Sequence, residues 1–162
     1  MIFVTVGSQK FQFDRLLQKL DQLVEQGVIR DEITAQIGVS QYLPKHYAYV
    51  PFMDREVFAK TVDACSVMIT HGGTGAIIGA VKKKKKVIAV PRLAQFGEHV
   101  DDHQLQLIHQ FDDLNLICPC YDMEKLGECC QKIGSMEFKE YVSNTHRIVD
   151  SIEDYIRQLG KQ

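Results

Sequence analysis

The chain has 162 residues, of which 45% are hydrophobic and 25% charged, and its formal net charge is −2. It is long enough for one domain with its own core, too apolar for disorder, and no nucleic-acid-binding polycation. No apolar run reaches the roughly 20 residues a membrane span needs. Met1 to Gly7 has neither a basic lead nor a small-residue cleavage site, so we expect a soluble, cytoplasmic protein forming a single domain over residues 1–162. The five cysteines, Cys65, Cys118, Cys120, Cys129 and Cys130, are odd in number and lack the paired two-residue spacing of a zinc site. They are expected to be reduced, mostly buried apolar residues.

Ile2 to Val6 reads as a buried strand, apolar and β-branched, stopped by Gly7. Phe13, Leu16, Leu17, Leu20, Leu23 and Val24 recur at helical spacing until Gly27 ends the run. Ile33 to Gly38 and Tyr47 to Val50 follow as strands, and Asp54 caps a helix through Val57, Phe58 and Val62. Ser66 to Thr70 is a further buried strand, succeeded by His71-Gly72-Gly73-Thr74-Gly75 and a helix from about Ala76. Val87 to Val90 is a strand ended by Pro91, a helix is expected from about His99, and a strand at Leu116 to Cys118. Two helices close the chain, near Met123 to Ile133 and Phe138 to Leu159. This alternation predicts an α/β, doubly wound, mostly parallel sheet (Rossmann-like) with about six strands. Ligands of such sheets bind beyond the carboxyl ends of the strands. Three loops therefore matter: Gly7 to Phe11, His71 to Ala76, and Pro91 to Gln104.

Gly7-Ser8-Gln9 admits two readings of equal weight, a turn with Ser8 as helix cap or an anion-binding helix start. His71 to Ala76 is more specific: three glycines within four positions let backbone amides surround phosphate oxygens, Thr74 adds a hydroxyl, and His71 a donor. No Gly-Lys-Ser or Gly-Lys-Thr follows, which excludes a Walker loop. In the third loop Glu98, Asp102 and Gln104 suit a hydroxyl-rich ligand such as a sugar. His99 and His103, four apart, also have a metal-ligating spacing, but no glutamate stands between them and no metal is expected.

Thr5-Val6-Gly7-Ser8, Phe13-Asp14-Arg15-Leu16, His71-Gly72-Gly73-Thr74-Gly75, Val90-Pro91-Arg92 and Glu98 to Gln104 together resemble one family. It is that of the small donor-binding subunits of bacterial two-subunit glycosyltransferases of capsule and exopolysaccharide assembly. These are similar to the catalytic subunit of the eukaryotic dolichol-linked N-acetylglucosamine transferase and to the C-terminal half of the peptidoglycan lipid-II transferase, a GT-B enzyme. The resemblance implies a GT-B C-terminal-type domain that binds a UDP-sugar without an obligatory metal or other cofactor. Gly7 and Ser8 would meet the diphosphate from the first helix, and Phe52 and Met53 would lie against the uracil, with the Met53 backbone reading its edge. His71, Gly72, Gly73, Thr74, Gly75 and Ala76 would hold the phosphates, and His103 and Gln104 the donor sugar. Arg92, Glu98 and Asp102 complete the expected ligand-binding set, with His71 and Glu98 as catalytic candidates. Gly79 stands where the lipid-II enzyme has a ribose-binding glutamate, so that contact would fall to another group such as Glu98.

The resemblance further implies a membrane-anchored partner that binds a lipid-linked saccharide acceptor, recruitment to the inner face of the membrane, and no nucleic-acid partner. An activating subunit without catalytic function fits the sequence as an alternative. The partner is expected over the loop edge and the last helix, whose Phe138, Tyr141, Val142, Ile148, Val149, Ile152, Tyr155, Ile156 and Leu159 exceed one packing stripe. The run Lys82 to Lys86 is read as a solvated face, with contact to anionic lipid as the second possibility.

Overall fold

The computed structural model describes residues 1–141, together with Asp154 and Arg157. Six strands form one all-parallel sheet in the order β3-β2-β1-β4-β5-β6. They are β1 (Ile2–Thr5), β2 (Ile33–Gln36), β3 (Ala48–Val50), β4 (Val67–Thr70), β5 (Lys86–Ala89) and β6 (Cys118–Pro119). The helices are α1 (Asp14–Glu25), α2 (Arg55–Ala64), α3 (Thr74–Lys82), α4 (His103–Asp113) and α5 (Leu126–Lys132). The expected Rossmann-like fold is thus the observed one.

Strand residues alternate between two cores because successive side chains point to opposite faces. Ile2, Val4 and Val6 join Leu16, Leu17, Leu20 and Leu126 on the α1 and α5 side. Phe3, Met68 and Val87 join Val62, Ile77, Ile108 and Phe111 on the side of α2, α3 and α4. Burial on both faces explains why β1 and β4 read as unbroken apolar runs. All five cysteines are free, four buried and Cys130 half-buried.

Several element starts differ from the sequence reading. Helix α1 begins at Asp14, well after Ser8, so Ser8 is not its cap. The N–H of Phe13 donates to Ser40 Oγ (2.9 Å) and that of Asp14 to Gln12 Oε1 (2.8 Å). Asp54 does cap α2, accepting from the Val57 N–H at 2.8 Å. Helix α4 starts at His103 instead of His99, because residues 93–102 form a short 3-10 turn (Ala94–Phe96) and a loop held by side chains. The last strand is Cys118–Pro119, two residues later than expected at its start.

Residues 136–141 are irregular where a helix was expected from Phe138, although Phe138 and Tyr141 do pack on the two cores. The remaining apolar positions of that expected helix, from Val142 to Leu159, lie outside the described residues. No described helix is long and apolar enough to cross a membrane.

Candidate functional site

Strand order reverses between β1 and β4, where a crevice opens at the carboxyl ends of the strands. The loops after these two strands carry Gly7 and His71 to Gly73. Thr70 Oγ1 donates to the Thr5 carbonyl at 2.9 Å, and Thr5 Oγ1 accepts from the Gly7 N–H at 3.2 Å. Two buried threonines thereby set the point where β1 and β4 leave the sheet.

His71 is buried between the loops, and one side chain determines its state. Gln104 Oε1 accepts the N–H groups of Gly72 and Arg92, both at 3.0 Å. Its amide nitrogen is therefore the group that donates to His71 Nδ1, 3.2 Å away. The proton of the neutral ring is left on Nε2. Burial, then the charge of Arg92 and the neighbouring His99, push the His71 pKa down to about 3. Near neutral pH His71 is a neutral hydrogen-bond donor, not a cation.

The glycines fit round this ring. A Cβ at Gly73 would stand 2.2 Å from His71 Cε1, and one at Gly7 would stand 2.8 Å from His71 Nε2. A Cβ at Gly72 would meet Gln104 Cβ at 2.7 Å, whereas one at Gly75 meets nothing within 4 Å. Gly7 also has φ +80°, a conformation that glycine adopts at little cost. Helix α3 starts from Gly73 without a side-chain cap, so the first-turn amides of Thr74, Gly75 and Ala76 face the crevice edge.

A cleft of about 410 Å³ adjoins this helix start and is lined by Gly7, Ser8, Phe52, Met53, Gly75 and Ala76. It brings together expected residues from three loops and is of a size that small ligands occupy. Thr5, Gln36, Arg55 and Phe58 also line it, and sequence reasoning missed all four. Gln36 is the informative one. Its Nε2 donates to Thr5 Oγ1 at 3.2 Å and its Oε1 accepts the Met53 N–H at 2.8 Å. The Met53 N–H is thus committed to Gln36. Phe52 is 52% exposed, an open aromatic platform at the cleft mouth.

The third loop divides. Arg92 is 1% and Glu98 0% exposed, so both lie beneath the loops. The Arg92 guanidinium donates to the carbonyls of Phe11 (2.8 Å), Gln12 (3.3 Å), Glu98 (3.4 Å) and, in a short contact, Val6. Burial lowers its pKa to about 10, which keeps it charged at neutral pH. Glu98 accepts from Arg15 Nε and Nη2 and from the Leu93 N–H, each at 3.0 Å. With its carboxylate so occupied, Glu98 does not replace the ribose-binding glutamate, and no group stands over the exposed Gly79. Asp102 Oδ1 accepts the Ala94 N–H at 2.8 Å and shapes the loop. His103 stays partly exposed, and Asp101 accepts from its N–H at 3.1 Å and contacts its Nδ1.

In this parallel α/β domain a glycine-lined, histidine-centred crevice lies at the strand reversal, the position at which such folds hold ligands. The chain is, more narrowly, a member of glycosyltransferase family 28: it matches the C-terminal domain of that family over residues 1–159. No curated protein matches it. Among solved structures it is similar to the glycotransferase of kitacinnamycin, with TM-score 0.62 and 13% identity over 99% of this chain and 39% of that one. ALG13 gives TM-score 0.60 and 16% identity over 91% of this chain and 94% of that one. MurG of Acinetobacter baumannii gives TM-score 0.57 and 19% identity over 94% and 49%. The chain spans less than half of the kitacinnamycin and MurG proteins and nearly all of ALG13.

Proposed function

We propose that this chain is the UDP-sugar-binding subunit of a two-subunit glycosyltransferase, which transfers a hexose or N-acetylhexosamine to a lipid-linked saccharide in polysaccharide assembly. One observation carries the reading: the uncapped start of α3 and the His71 Nε2–H edge meet beside a cleft floored by Gln36 and edged by Phe52. The diphosphate lies against the amides of Thr74 to Ala76, with Gly7 and Ser8 opposite, and the uracil against Phe52 and Met53. Because the Met53 N–H is held by Gln36, the Met53 carbonyl is the backbone group that meets the base. His103 lies at the sugar end, whereas Gln104, expected there too, is buried and positions His71, Gly72 and Arg92.

In the reaction an acceptor hydroxyl attacks the anomeric carbon as the bond to the β-phosphate oxygen breaks. Negative charge grows on the departing UDP, where oriented amides and a neutral donor histidine stabilise it without reorganising. This role needs no obligatory metal. Arg92 and Glu98 act as positioning residues, since each bonds to backbone of the loops. The acceptor and the base that takes its proton belong to a membrane-anchored partner, so the pair works at the inner face of the membrane. Holding the two substrates together is worth up to about 7–11 kcal/mol of barrier, an advantage the isolated subunit lacks.

Thermal shift with a nucleotide panel tests the ligand: UDP and UDP-sugars should raise the melting temperature, and a preference for ATP or NAD overturns the reading. Reconstitution with the partner in membranes tests the role. His71→Ala should abolish transfer while the pair stays assembled; full activity would instead mark a non-catalytic activating subunit.

A further inference from the structure

The loop that leads into α4 holds a cluster that nucleotide binding leaves unexplained. His99, Asp101 and His103 each offer one ligand atom, and these atoms lie within 4.8 Å of one another. Asp101 Oδ1 contacts His103 Nδ1 and stands 3.4 Å from His99 Nδ1. His99 Nδ1 is buried and makes no hydrogen bond, although its side chain is only 10% exposed. Phe11 and His103 pack on this ring, with centroids 4.8 and 4.5 Å away. A buried imidazole nitrogen without a hydrogen bond is costly, and here a carboxylate and a second imidazole stand beside it.

We propose that His99 Nδ1, Asp101 Oδ1 and His103 Nδ1 form a binding site for a borderline divalent transition-metal ion of the Zn²⁺ type. Zinc takes nitrogen and carboxylate oxygen at about 2.0–2.2 Å, so neighbouring ligands of a tetrahedral ion stand about 3.3–3.6 Å apart. The 3.4 Å between His99 and Asp101 already has that value. The His103 ring, partly exposed at the start of α4, has to withdraw from Asp101 to share the ion. Two imidazoles and a single carboxylate suit zinc, nickel or cobalt, whereas magnesium requires oxygen ligands and octahedral geometry. Asp101 is 53% exposed, so ions reach the site from solvent and a water completes the coordination. Ligation through Nδ1 leaves the proton on Nε2 of His103, which fixes this residue as a donor beside Gln104. The ion would cross-link a loop that has no regular structure of its own. The proposal does not rest on UDP binding.

Calorimetric titration of Zn²⁺ into the metal-free chain tests it, with Mg²⁺ as control and the visible spectrum of bound Co²⁺ as a report on ligand type. We expect one Zn²⁺ per chain, no Mg²⁺ binding, and a Co²⁺ spectrum without thiolate charge transfer. Asp101→Asn and His103→Gln should each weaken zinc binding at least tenfold, while Cys118→Ser and Cys129→Ser leave it unchanged. Asp101 is exposed, so its variant keeps the fold, as circular dichroism checks, even where a change at buried His99 does not. Absence of saturable zinc binding overturns the proposal, as does binding that survives Asp101→Asn or is lost with the cysteines. A chain that binds zinc but no UDP would sink the nucleotide reading and leave this one standing.

Discussion

Gln104 joins three segments through one amide: its oxygen accepts from the Gly72 and Arg92 amides, and its nitrogen donates to His71 Nδ1. Gln104→Ala leaves two buried N–H groups unmet and should cost about 1–3 kcal/mol in urea unfolding. The glycines separate packing from binding. Gly73→Ala drives a methyl into the His71 ring and should destabilise the chain, whereas Gly75→Ala meets open space and should keep stability while blocking UDP in a thermal-shift titration. His71 also sets a pH dependence. Its folded pKa of about 3 lies below the ordinary 6.5, so the unfolded chain takes up a proton that the native state refuses. Its contribution is intact above pH 6.5 and is lost as pH falls from there towards about 3, by at most about 1.4 kcal/mol per pH unit. Unfolding of His71→Gln measured across that range should show a shallower acid loss. His71 to Gly75 was legible because three glycines beside a histidine break local rules for a reason. Gln36 was not, since a polar residue at the end of a strand carries no mark of its partner.

Asp21 shows how one helix organises its neighbour. From the middle of α1 it accepts from Tyr42 Oη (2.6 Å), the Lys45 N–H (2.8 Å) and the His46 N–H (2.9 Å). It thus folds the helix-free crossover from β2 to β3. Burial alone would raise its pKa, but these bonds bring it below the ordinary carboxylate value. Its stabilisation is therefore present above pH 3.8 and lost below it. Asp21→Ala should cost about 2–4 kcal/mol by urea denaturation and expose the crossover to protease. The strands and α1, α2 and α3 were legible from apolar period and caps. The start of α4 was not. Glu98 and Asp102 look like the beginning of a helix, but their carboxylates take the Leu93 and Ala94 amides instead, and such bonds compete with helical ones.

At the scale of the molecule, the parallel sheet sends all strand exits to one edge and all entries to the other. The cleft lies at the exits and the lysine run at the entries, where β5 begins at Lys86. Each of the five lysines has a protein partner. Lys82 lies over the Tyr141 ring, Lys83 pairs with Asp63, Lys84 with Glu140, and Lys85 and Lys86 donate to the carbonyls of Asp63 and Gly134. Lys83→Gln combined with Lys84→Gln should leave the urea midpoint almost unchanged, because exposed ion pairs contribute little. This polarity has a consequence for orientation at a charged bilayer. A chain drawn down by its lysines would stand with the cleft turned outwards, a strand's length or more from the headgroups and out of reach of a sugar carried on them. On the function proposed above, attachment would come through the opposite pole, with the basic edge pointing back into the solvent.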